Sequence, residues 1–478
     1  MNGGLLLFGA LWACVCSASP RLAVSTNGEG LEFGGRSVFL AGANQPWRNY
    51  GSDWGNSHPA PADYCALKRD LVELSRAGAN SIRFWVFIEG TSIPHWAADN
   101  RTVLSGDSDG TLISSMRQYT RLAASLDMLV IWCLWNGAGG NRAMDARVRS
   151  MIQEPNGQAL SSFIDNVLKP LVSALSSEPG VGAWEIMNEP EGSVSLTAGV
   201  GGAEPCFDPS SAHDVGWAGN DIPLQYLQRF VGRQAAAIHE VDPAVLVTTG
   251  FADTTVFRSD SGFRNYWSDE CLWKSMSNGS TDTRFLDFYQ VHLYPGGPGH
   301  NGSWDQTSPF FGPGYAKTFL KLDKPLVIGE IPMGETIAEG TQTPTQLYEF
   351  AAAGGFDGVW GWCMCTETDG GCKASDNDGN IGIVSIGKGL AGLDAYRNRI
   401  DITVGGAAPE SDHCTTVPPS APYLPQPPQP CTDVPPELHG LKNCTQLARE
   451  GNCNADSMIG FCCTSCWNCT GILRCGGL

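Results

Sequence analysis

The sequence predicts an α/β fold, a (β/α)8 TIM barrel followed by a small disulfide-rich C-terminal domain. Three observations support this. Eight short apolar runs alternate with helical patterns over roughly 380 residues, which fits eight strand–helix units with long loops. A proline-dense segment, residues 415–430, follows them and predicts an extended linker. Eight cysteines then crowd into residues 431–478.

The apolar runs are nearly continuous, as parallel strands buried on both faces should be. They lie at residues 38–44, 81–87, 128–135, 182–187, 244–250, 285–294, 325–330 and 356–363. Between them, leucines at helical spacing precede Gly78, and a second helical pattern has Asp221 as its predicted N-cap and Pro243 just past its end. An open doubly wound sheet is the alternative, although no glycine-rich phosphate loop follows the first strand.

The N-terminus and the cysteines predict export. Residues 1–18 contain an apolar core followed by small residues, which predicts a signal peptide cleaved after Ala18 and a secreted, extracellular protein. The apolar run is shorter than the ~20 residues that span a bilayer, so we expect no membrane attachment after cleavage. Of 18 cysteines, Cys14 and Cys16 lie in this segment, and the even number left favours an oxidising compartment.

Charge and sequons add to this interpretation. The formal net charge of −19 argues against a nucleic-acid partner, because phosphate binding needs clustered Lys and Arg. Sequons for N-glycosylation, which would suit a secreted chain, occur at Asn100, Asn278, Asn301, Asn443 and Asn468. The predicted barrel domain covers residues 19–414.

Polar and aromatic side chains follow the predicted strands at the ends where barrel enzymes carry their chemistry. They are Arg83 in the second strand, Asn188 and Glu189 after the fourth, His292 and Tyr294 in the sixth, Glu330 in the seventh, and Trp360 and Trp362 in the eighth. Taken singly, each has an ordinary structural explanation: a glutamate after a strand is usually a surface residue, and a tryptophan usually packs. Their joint placement at one end of a barrel points to an active site.

Two carboxylates in one pocket suggest cleavage of a glycosidic bond. That reaction needs an acid to protonate the leaving oxygen, and a carboxylate that attacks the anomeric carbon or activates water. Glu189 and Glu330 would therefore need different pKa values, with one protonated and the other ionised near neutral pH. Arg83 would favour the ionised one, and an aromatic ring of the eighth strand offers a flat face to a sugar.

The segments that carry these residues resemble glycoside hydrolase family 5. They are "IRFW", "WEIMNEP", "VHLYP", "VIGEIP" and "WGWCM", in the family's order across most of residues 22–400. The resemblance implies a retaining mechanism without metal or organic cofactor, with Glu189 as general acid/base and Glu330 as nucleophile. It further implies that Asn188 holds the sugar 2-hydroxyl, with Arg83, His292, Tyr294 and Trp362 in support.

One departure from the family lies at the end of the third strand. Many members have a histidine there, whereas this chain has "IWCLWNG", so Trp135 or Asn136 would take that place. Within the family, the segments "FLAGANQPWRNYGSDWG" and "ANSIRFWVF" look most like secreted animal endo-β-1,4-mannanases. Trp47, Tyr50 and Trp54 then become candidate walls of a cleft that binds β-mannan, with loop packing as the alternative.

Two other functions stay open. A cellulase-like endo-β-1,4-glucanase is the close alternative, because mannose and glucose differ only in the orientation of the 2-hydroxyl. A barrel that binds carbohydrate without cleaving it is the other. The presence of both glutamates together with Asn188 and Arg83 favours an enzyme.

The C-terminal segment is too short and polar to fold by apolar burial alone, so disulfides would have to constrain it. Its cysteine pattern resembles the ShK-toxin-like (ShKT) module, which implies three bridges among Cys431, Cys444, Cys453, Cys462, Cys466 and Cys469. Cys463 and Cys475 would be left to pair with each other. A zinc site at the C-x2-C of Cys466 and Cys469 is the alternative. The partner of this tail is unknown.

Overall fold

The computed structural model describes residues 20–414, apart from 139–142, 155, 197–203, 212–214, 253, 258–264, 277–283, 295–319, 321, 334–342, 365–382 and 407–413. The chain divides into two compact units, Met1–Val417 and Pro418–Leu478. The predicted signal peptide, proline-rich linker and ShKT-like module lie outside the described residues and stay predictions.

Eight parallel strands close into a barrel, which confirms the predicted architecture and excludes the open sheet. In chain order they are β1 Leu40–Asn44, β2 Ser81–Ile88, β3 Leu129–Asn136, β4 Val181–Asn188, β5 Leu246–Phe251, β6 Tyr289–His292, β7 Leu326–Pro332 and β8 Gly358–Trp362. Each strand pairs with the next, and β8 pairs with β1. The predicted strands were placed correctly to within a few residues.

Helices follow the strands and pack against the outward-facing strand side chains in one apolar core. Their bounds are Pro61–Arg76, Leu112–Ser125, Ala146–Gln153, Gln158–Phe163, Lys169–Leu175, Leu224–Val241, Asp269–Ser275, Pro344–Ala353, Ile383–Ala391 and Arg397–Ile400. No helix of the described part of the chain is long and apolar enough to cross a membrane.

The predicted N-cap at Asp221 is wrong. The helix begins at Leu224 with Pro223 at the N-cap position and no side-chain cap. Asp221 has a φ of 53° and accepts a hydrogen bond from the Ser195 hydroxyl. Its carboxylate is therefore used to hold the loop that precedes the helix.

The barrel interior is apolar at its N-terminal end. Leu40, Leu129, Ala183 and Leu246, near the starts of their strands, belong to one buried cluster. A three-stranded antiparallel sheet contributes to the same cluster, with strands at Leu22–Val24, Leu31–Phe33 and Arg36–Ser37. This apolar plug leaves the opposite, carboxyl end for polar side chains.

Strand irregularities occur at that carboxyl end. The β4–β5 pairing shifts register, so that Glu185 faces Thr248 but Asn188 faces Gly250. Between these two pairs the chain advances three residues in β4 but only two in β5, so β4 contains a β-bulge. In a regular strand residues three apart point to opposite faces. The bulge lets Glu185 and Asn188 both face the barrel axis.

Two disulfides join distant parts of the barrel domain, which supports an oxidising compartment. Cys65 in the first helix is bonded to Cys414, across 349 positions of the chain. Cys206 is bonded to Cys271, across 65 positions. The first bond ties the start of the barrel to the end of its domain.

Candidate active site

A fully buried arginine organises the polar end of the barrel. Arg83 of β2 donates Nε to Glu185 Oε2 at 2.6 Å and Nη2 to Glu185 Oε1 at 2.6 Å. Its Nη1 donates to Glu330 Oε1 at 2.7 Å and to Asn44 Oδ1 at 2.9 Å, and its Nη2 also donates to Asn188 Oδ1 at 2.7 Å. All its N–H groups therefore have acceptors, on four other residues.

This bonding decides the charge state of the arginine. Burial disfavours a charged guanidinium, but Glu185 raises the pKa of Arg83 well above its usual value. The bidentate pairing with Glu185 is the geometry in which a buried ion pair recovers its desolvation cost. Arg83 consequently stays cationic and presents a fixed positive charge to Glu330.

The two predicted glutamates meet across the pocket. An oxygen of Glu189, an oxygen of Glu330 and a ring nitrogen of His292 all lie within 4.8 Å of one another. His292 Nδ1 is 2.7 Å from Glu189 Oε1 and 3.5 Å from Glu330 Oε2. Tyr294 donates its hydroxyl to Glu330 Oε2 at 2.7 Å. The structure thus brings together the residues predicted from strands four, six and seven.

The environments of the two carboxylates differ. Glu330 is buried, and its two oxygens accept from Arg83 and from Tyr294. Burial raises the pKa of Glu330, whereas the charges of His292 and Arg83 and the tyrosine hydrogen bond act in the opposite direction. Glu189 is more exposed, and its polar partner is the imidazole of His292. Burial thus leaves the pKa of Glu330 above its usual value, although Arg83 and Tyr294 hold its two oxygens.

The imidazole of His292 lies between the glutamates. Burial lowers its pKa, but the charge of Glu330 and the hydrogen bond to Glu189 outweigh burial and raise the pKa above its usual value. A proton on Nδ1 is then shared with Glu189 Oε1. His292 is therefore in direct hydrogen-bond contact with the acid/base candidate.

Glu189 is turned into the pocket by its backbone. It has a φ of 41°, in the left-handed region, directly after β4 and before Pro190. Such a conformation is uncommon for a residue other than glycine and is typical of strained functional positions. The Glu189 N–H donates to Gly250 O at 2.7 Å, which fixes this turn to β5.

A further buried carboxylate holds the same turn. Glu191 accepts from Trp267 Nε1 at 2.8 Å and from the Ala252 N–H at 3.2 Å. Burial raises the pKa of Glu191 from 4.5 to about 7. Because the folded chain then binds the proton more tightly than the unfolded chain, the stability that Glu191 contributes falls as pH rises from about 4.5 to 7.

An aromatic wall stands beside Arg83, whose guanidinium carbon lies 5.5 Å from the centroid of the Trp85 ring. Trp47 contacts Tyr50 at 4.6 Å, Trp85 at 5.3 Å and Trp362 at 6.0 Å between ring centroids. Trp47, Tyr50 and Trp362 are partly buried, so each keeps some surface toward solvent. The predicted platform residues Trp47 and Trp362 are thus adjacent, at the β1 and β8 side of the pocket.

Two predicted aromatic contacts do not fit the structure. Trp360 is fully buried in the apolar cluster of the barrel interior, and its Nε1 donates to Ser81 Oγ at 2.9 Å. It cannot offer a face to a sugar, and we withdraw it as a substrate-binding residue. Trp54 is also buried, with its Nε1 donating to Trp85 O at 3.0 Å. Both tryptophans are packing residues.

At the end of β3, Trp135 and Asn136 were the two candidates for the position where many family members have a histidine, and their side chains point in different directions. Trp135 is fully buried outside the barrel, where it stacks on Phe87 at 4.9 Å. Asn136 points inward, and its Oδ1 accepts from Asn188 Nδ2 at 3.0 Å. Of the two candidates, Asn136 is therefore the one whose side chain reaches the polar end of the barrel.

Sequence reasoning missed Glu185, Asn44 and Trp85. Glu185 lies inside the strand that ends in Asn188 and Glu189, and a charge within an apolar run was the available signal, as it was for Arg83. Asn44 lacked any such signal, because an amide at a strand end is common. Trp85 had the same apolar context as its buried neighbours.

The cluster of Glu189, His292 and Glu330 has the spacing of a metal site. Its electrostatics fit a cation poorly, because the Arg83 guanidinium already lies 2.7 Å from Glu330 Oε1. Two carboxylates suffice for the predicted chemistry. We therefore assign no metal or organic cofactor to these residues.

Two mannan endo-1,4-beta-mannosidases are similar to this chain in sequence. The chain is 36% identical to mannan endo-1,4-beta-mannosidase of Mytilus edulis over 359 residues, which are 75% of this chain and 92% of the relative. It is 33% identical to the enzyme of the same name from Cryptopygus antarcticus, over 72% of this chain and 86% of the relative. No family model matches.

Two solved mannanase structures are similar to this chain in fold and in sequence. Endo-1,4-beta-mannanase of Eisenia fetida superimposes with a TM-score of 0.68 at 34% identity, covering 81% of this chain and all of that one. Beta-mannanase of Mytilus edulis gives a TM-score of 0.66 at 34% identity, covering 79% of this chain and 97% of that one.

The barrel and its facing glutamates define a glycoside hydrolase of the (β/α)8 type. More narrowly, the chain belongs to the family of animal endo-1,4-β-mannanases.

The ion pair beneath the pocket gives a first testable prediction. Replacing Glu185 with Gln removes the bidentate carboxylate from a fully buried arginine, so we expect the free energy of unfolding to fall by about 3–5 kcal/mol. The matched control is Glu178→Gln, where the partners Arg117 and Arg121 are partly exposed. There we expect a loss of about 1 kcal/mol or less. Equal losses in urea unfolding would contradict the role assigned to Glu185.

Proposed function

We propose that this protein is an endo-acting enzyme that hydrolyses β-1,4-mannosidic bonds in mannan, glucomannan or galactomannan with retention of configuration. One observation supports this most strongly: one oxygen of Glu189 and one oxygen of Glu330 lie within 4.8 Å of each other, in a chain of the mannanase family. Retaining enzymes hold their carboxyl groups about 5–5.5 Å apart, whereas inverting enzymes leave room for a water at about 6.5–9.5 Å.

In the first step, Glu330 Oε2 or Oε1 attacks the anomeric carbon while Glu189 donates its proton to the leaving glycosidic oxygen. The carbon–oxygen bond to the departing chain breaks as the bond to Glu330 forms, which gives a covalent glycosyl-enzyme and a free sugar hydroxyl. Arg83 and Tyr294, which bond to Glu330 in the resting site, orient the nucleophile and stabilise its charge.

In the second step, Glu189, now ionised, removes a proton from water as the water attacks the anomeric carbon. The bond to Glu330 breaks, the sugar leaves with its original configuration, and Glu189 is protonated again. His292, 2.7 Å from Glu189 Oε1, supports both states because its own proton can shift along that hydrogen bond.

Asn188 is proposed to bind the 2-hydroxyl of the sugar being cleaved. Its amide is held from two sides, by Arg83 at Oδ1 and by Asn136 at Nδ2. The second N–H of Nδ2 is the donor we assign to the substrate. Trp362 and Trp47 would carry the apolar faces of sugars in the cleft.

The competing functions are cleavage of a β-1,4-glucan and binding without cleavage. Release of reducing sugar from galactomannan, glucomannan, carboxymethylcellulose and a mixed-linkage β-glucan decides among them. We expect cleavage of both mannans. If a glucan is cleaved while galactomannan is untouched, the mannanase assignment is wrong, although the barrel and the mechanism would stand.

The covalent intermediate predicts a chemical rescue. Glu330→Ala should abolish turnover of mannan, because the nucleophile is gone. With an aryl β-mannoside oligomer and added azide, the anion should occupy the vacated space and give an α-mannosyl azide, observed by NMR. Wild-type enzyme with azide is the control and should give no azide product. Absence of rescue would count against Glu330 as nucleophile.

The acid role predicts a dependence on the leaving group. Glu189→Gln should lower turnover of galactomannan by about 10²–10⁴-fold, because a poor leaving group needs protonation. The first, glycosylation step on a dinitrophenyl mannoside oligomer should be nearly unaffected in pre-steady-state measurements. Glu178→Gln is the control and should change neither rate. Equal losses on both substrates would remove Glu189 as the acid.

The proposal also includes secretion of the protein and a folded C-terminal module. The Cys65–Cys414 and Cys206–Cys271 bonds support secretion into an oxidising, extracellular space. The C-terminal segment is proposed to be a disulfide-rich, ShKT-like module behind a proline-rich linker, with an unknown partner. N-glycosylation of the sequons is proposed on the same basis.

A further inference from the structure

A third acidic side chain reaches the site from the end of β2. Glu89 directly follows that strand and is fully buried. Ile88 before it has a φ of 53°, which is an outlier for a β-branched residue. The β2–β3 pairing also shifts register between Trp85 and Ile88. A bulge and a strained residue together turn the Glu89 carboxylate toward the pocket.

Glu89 Oε1 accepts two short hydrogen bonds. Tyr50 donates its hydroxyl at 2.6 Å and Asn136 donates Nδ2 at 2.6 Å. Asn136 Oδ1 in turn accepts from Asn188 Nδ2 at 3.0 Å. A continuous chain of hydrogen bonds therefore runs from Tyr50, in the aromatic wall, to Asn188.

The chemistry of its two ends makes this chain directional. Arg83 can only donate, and Glu89 Oε1 is the acceptor of both of its hydrogen bonds. Between them stand two amides, each of which can be turned either way. Glu89 requires the Asn136 N–H to point at it, so Asn136 must offer its oxygen to Asn188. Asn188 must then offer Nδ2 to Asn136 and its oxygen to Arg83.

We propose that Glu89 is a positioning residue that fixes the Asn188 amide through Asn136, so that an N–H of Asn188 faces the sugar 2-hydroxyl. The inference rests on the proposed role of Asn188. It also connects the wall that carries Trp47 and Tyr50 to the group that binds the 2-hydroxyl, since Tyr50 and Asn136 share one carboxylate oxygen.

A double-mutant cycle tests the proposal. Glu89→Ala should lower kcat/KM on mannan by about 10–100-fold, mainly through kcat, because a misplaced contact acts on the transition state. With Asn188→Ala in place, adding Glu89→Ala should cost no more than about threefold, since its route to the substrate is already removed. Glu89→Gln keeps an oxygen that can accept both bonds and should retain most of the activity.

Controls separate positioning from folding. Glu178→Ala removes another buried carboxylate, on the outer face of the barrel, and should lower the melting temperature without changing kcat/KM. If Glu89→Ala does not fold, Asn136→Ala interrupts the same chain and is expected to behave alike. The proposal would be overturned if the fold losses in kcat/KM of Glu89→Ala and Asn188→Ala multiplied in the double variant. A Glu89→Ala enzyme with wild-type kcat would also overturn it.

Failure of the proposed function would be seen separately. The cycle uses whichever β-linked polysaccharide the wild-type enzyme cleaves, so loss of the mannan assignment leaves it intact. Activity that survives Glu330→Ala would reject the two-glutamate mechanism whatever the cycle gives.

Discussion

The ion pair between Arg83 and Glu185 is the constraint on which the carboxyl end of the barrel depends. A cation buried inside a barrel must be surrounded by acceptors with good geometry, because desolvation of an unpaired charge costs several kcal/mol. Glu185 supplies the counter-charge, which frees the remaining donors of Arg83 for Asn44, Asn188 and Glu330. The same guanidinium thus stabilises the core and orients the side chains that would touch the substrate.

The β-bulges in the barrel strands bring the side chains of this network to the barrel axis. A regular strand can aim only every second side chain inward, yet the site uses Glu185 with Asn188, three positions apart, on one strand. Register shifts in β2, β4 and β7 occur near their carboxyl ends. Each of these bulges lets the carboxyl half of its strand present additional polar groups to the barrel axis.

The contrast between the apolar and polar halves of the strands explains how much of the structure the sequence alone could predict. The barrel followed from eight apolar runs, because burial on both faces leaves a clear pattern. Glu189, Glu330, His292 and Tyr294 were placed by counting to the strand ends, and the structure brings them within reach of each other. Roles could be assigned only through the resemblance to a family, since spacing does not tell an acid from a nucleophile.

The two errors have different physical causes. Trp360 points into the barrel as expected, but it lies one layer deeper than Trp362, in the apolar cluster and against Ser81, and a sequence pattern gives the direction of a side chain and not its depth. Glu89 was missed because a strained residue and a bulge, neither visible in a sequence pattern, turn it inward. Side chains whose direction is set by irregular backbone are those that periodicity cannot assign.

The bond between Cys65 and Cys414 gives the domain a property separate from its stability. It converts nearly the whole barrel into a covalent ring, since 349 positions of chain separate its two ends. A protease that cuts once within that ring opens it without releasing a fragment. Both pieces stay tethered, and the barrel strands remain at a high local concentration in which they can pair again. In the presence of a protease, the covalent ring would let activity outlast the first cleavage.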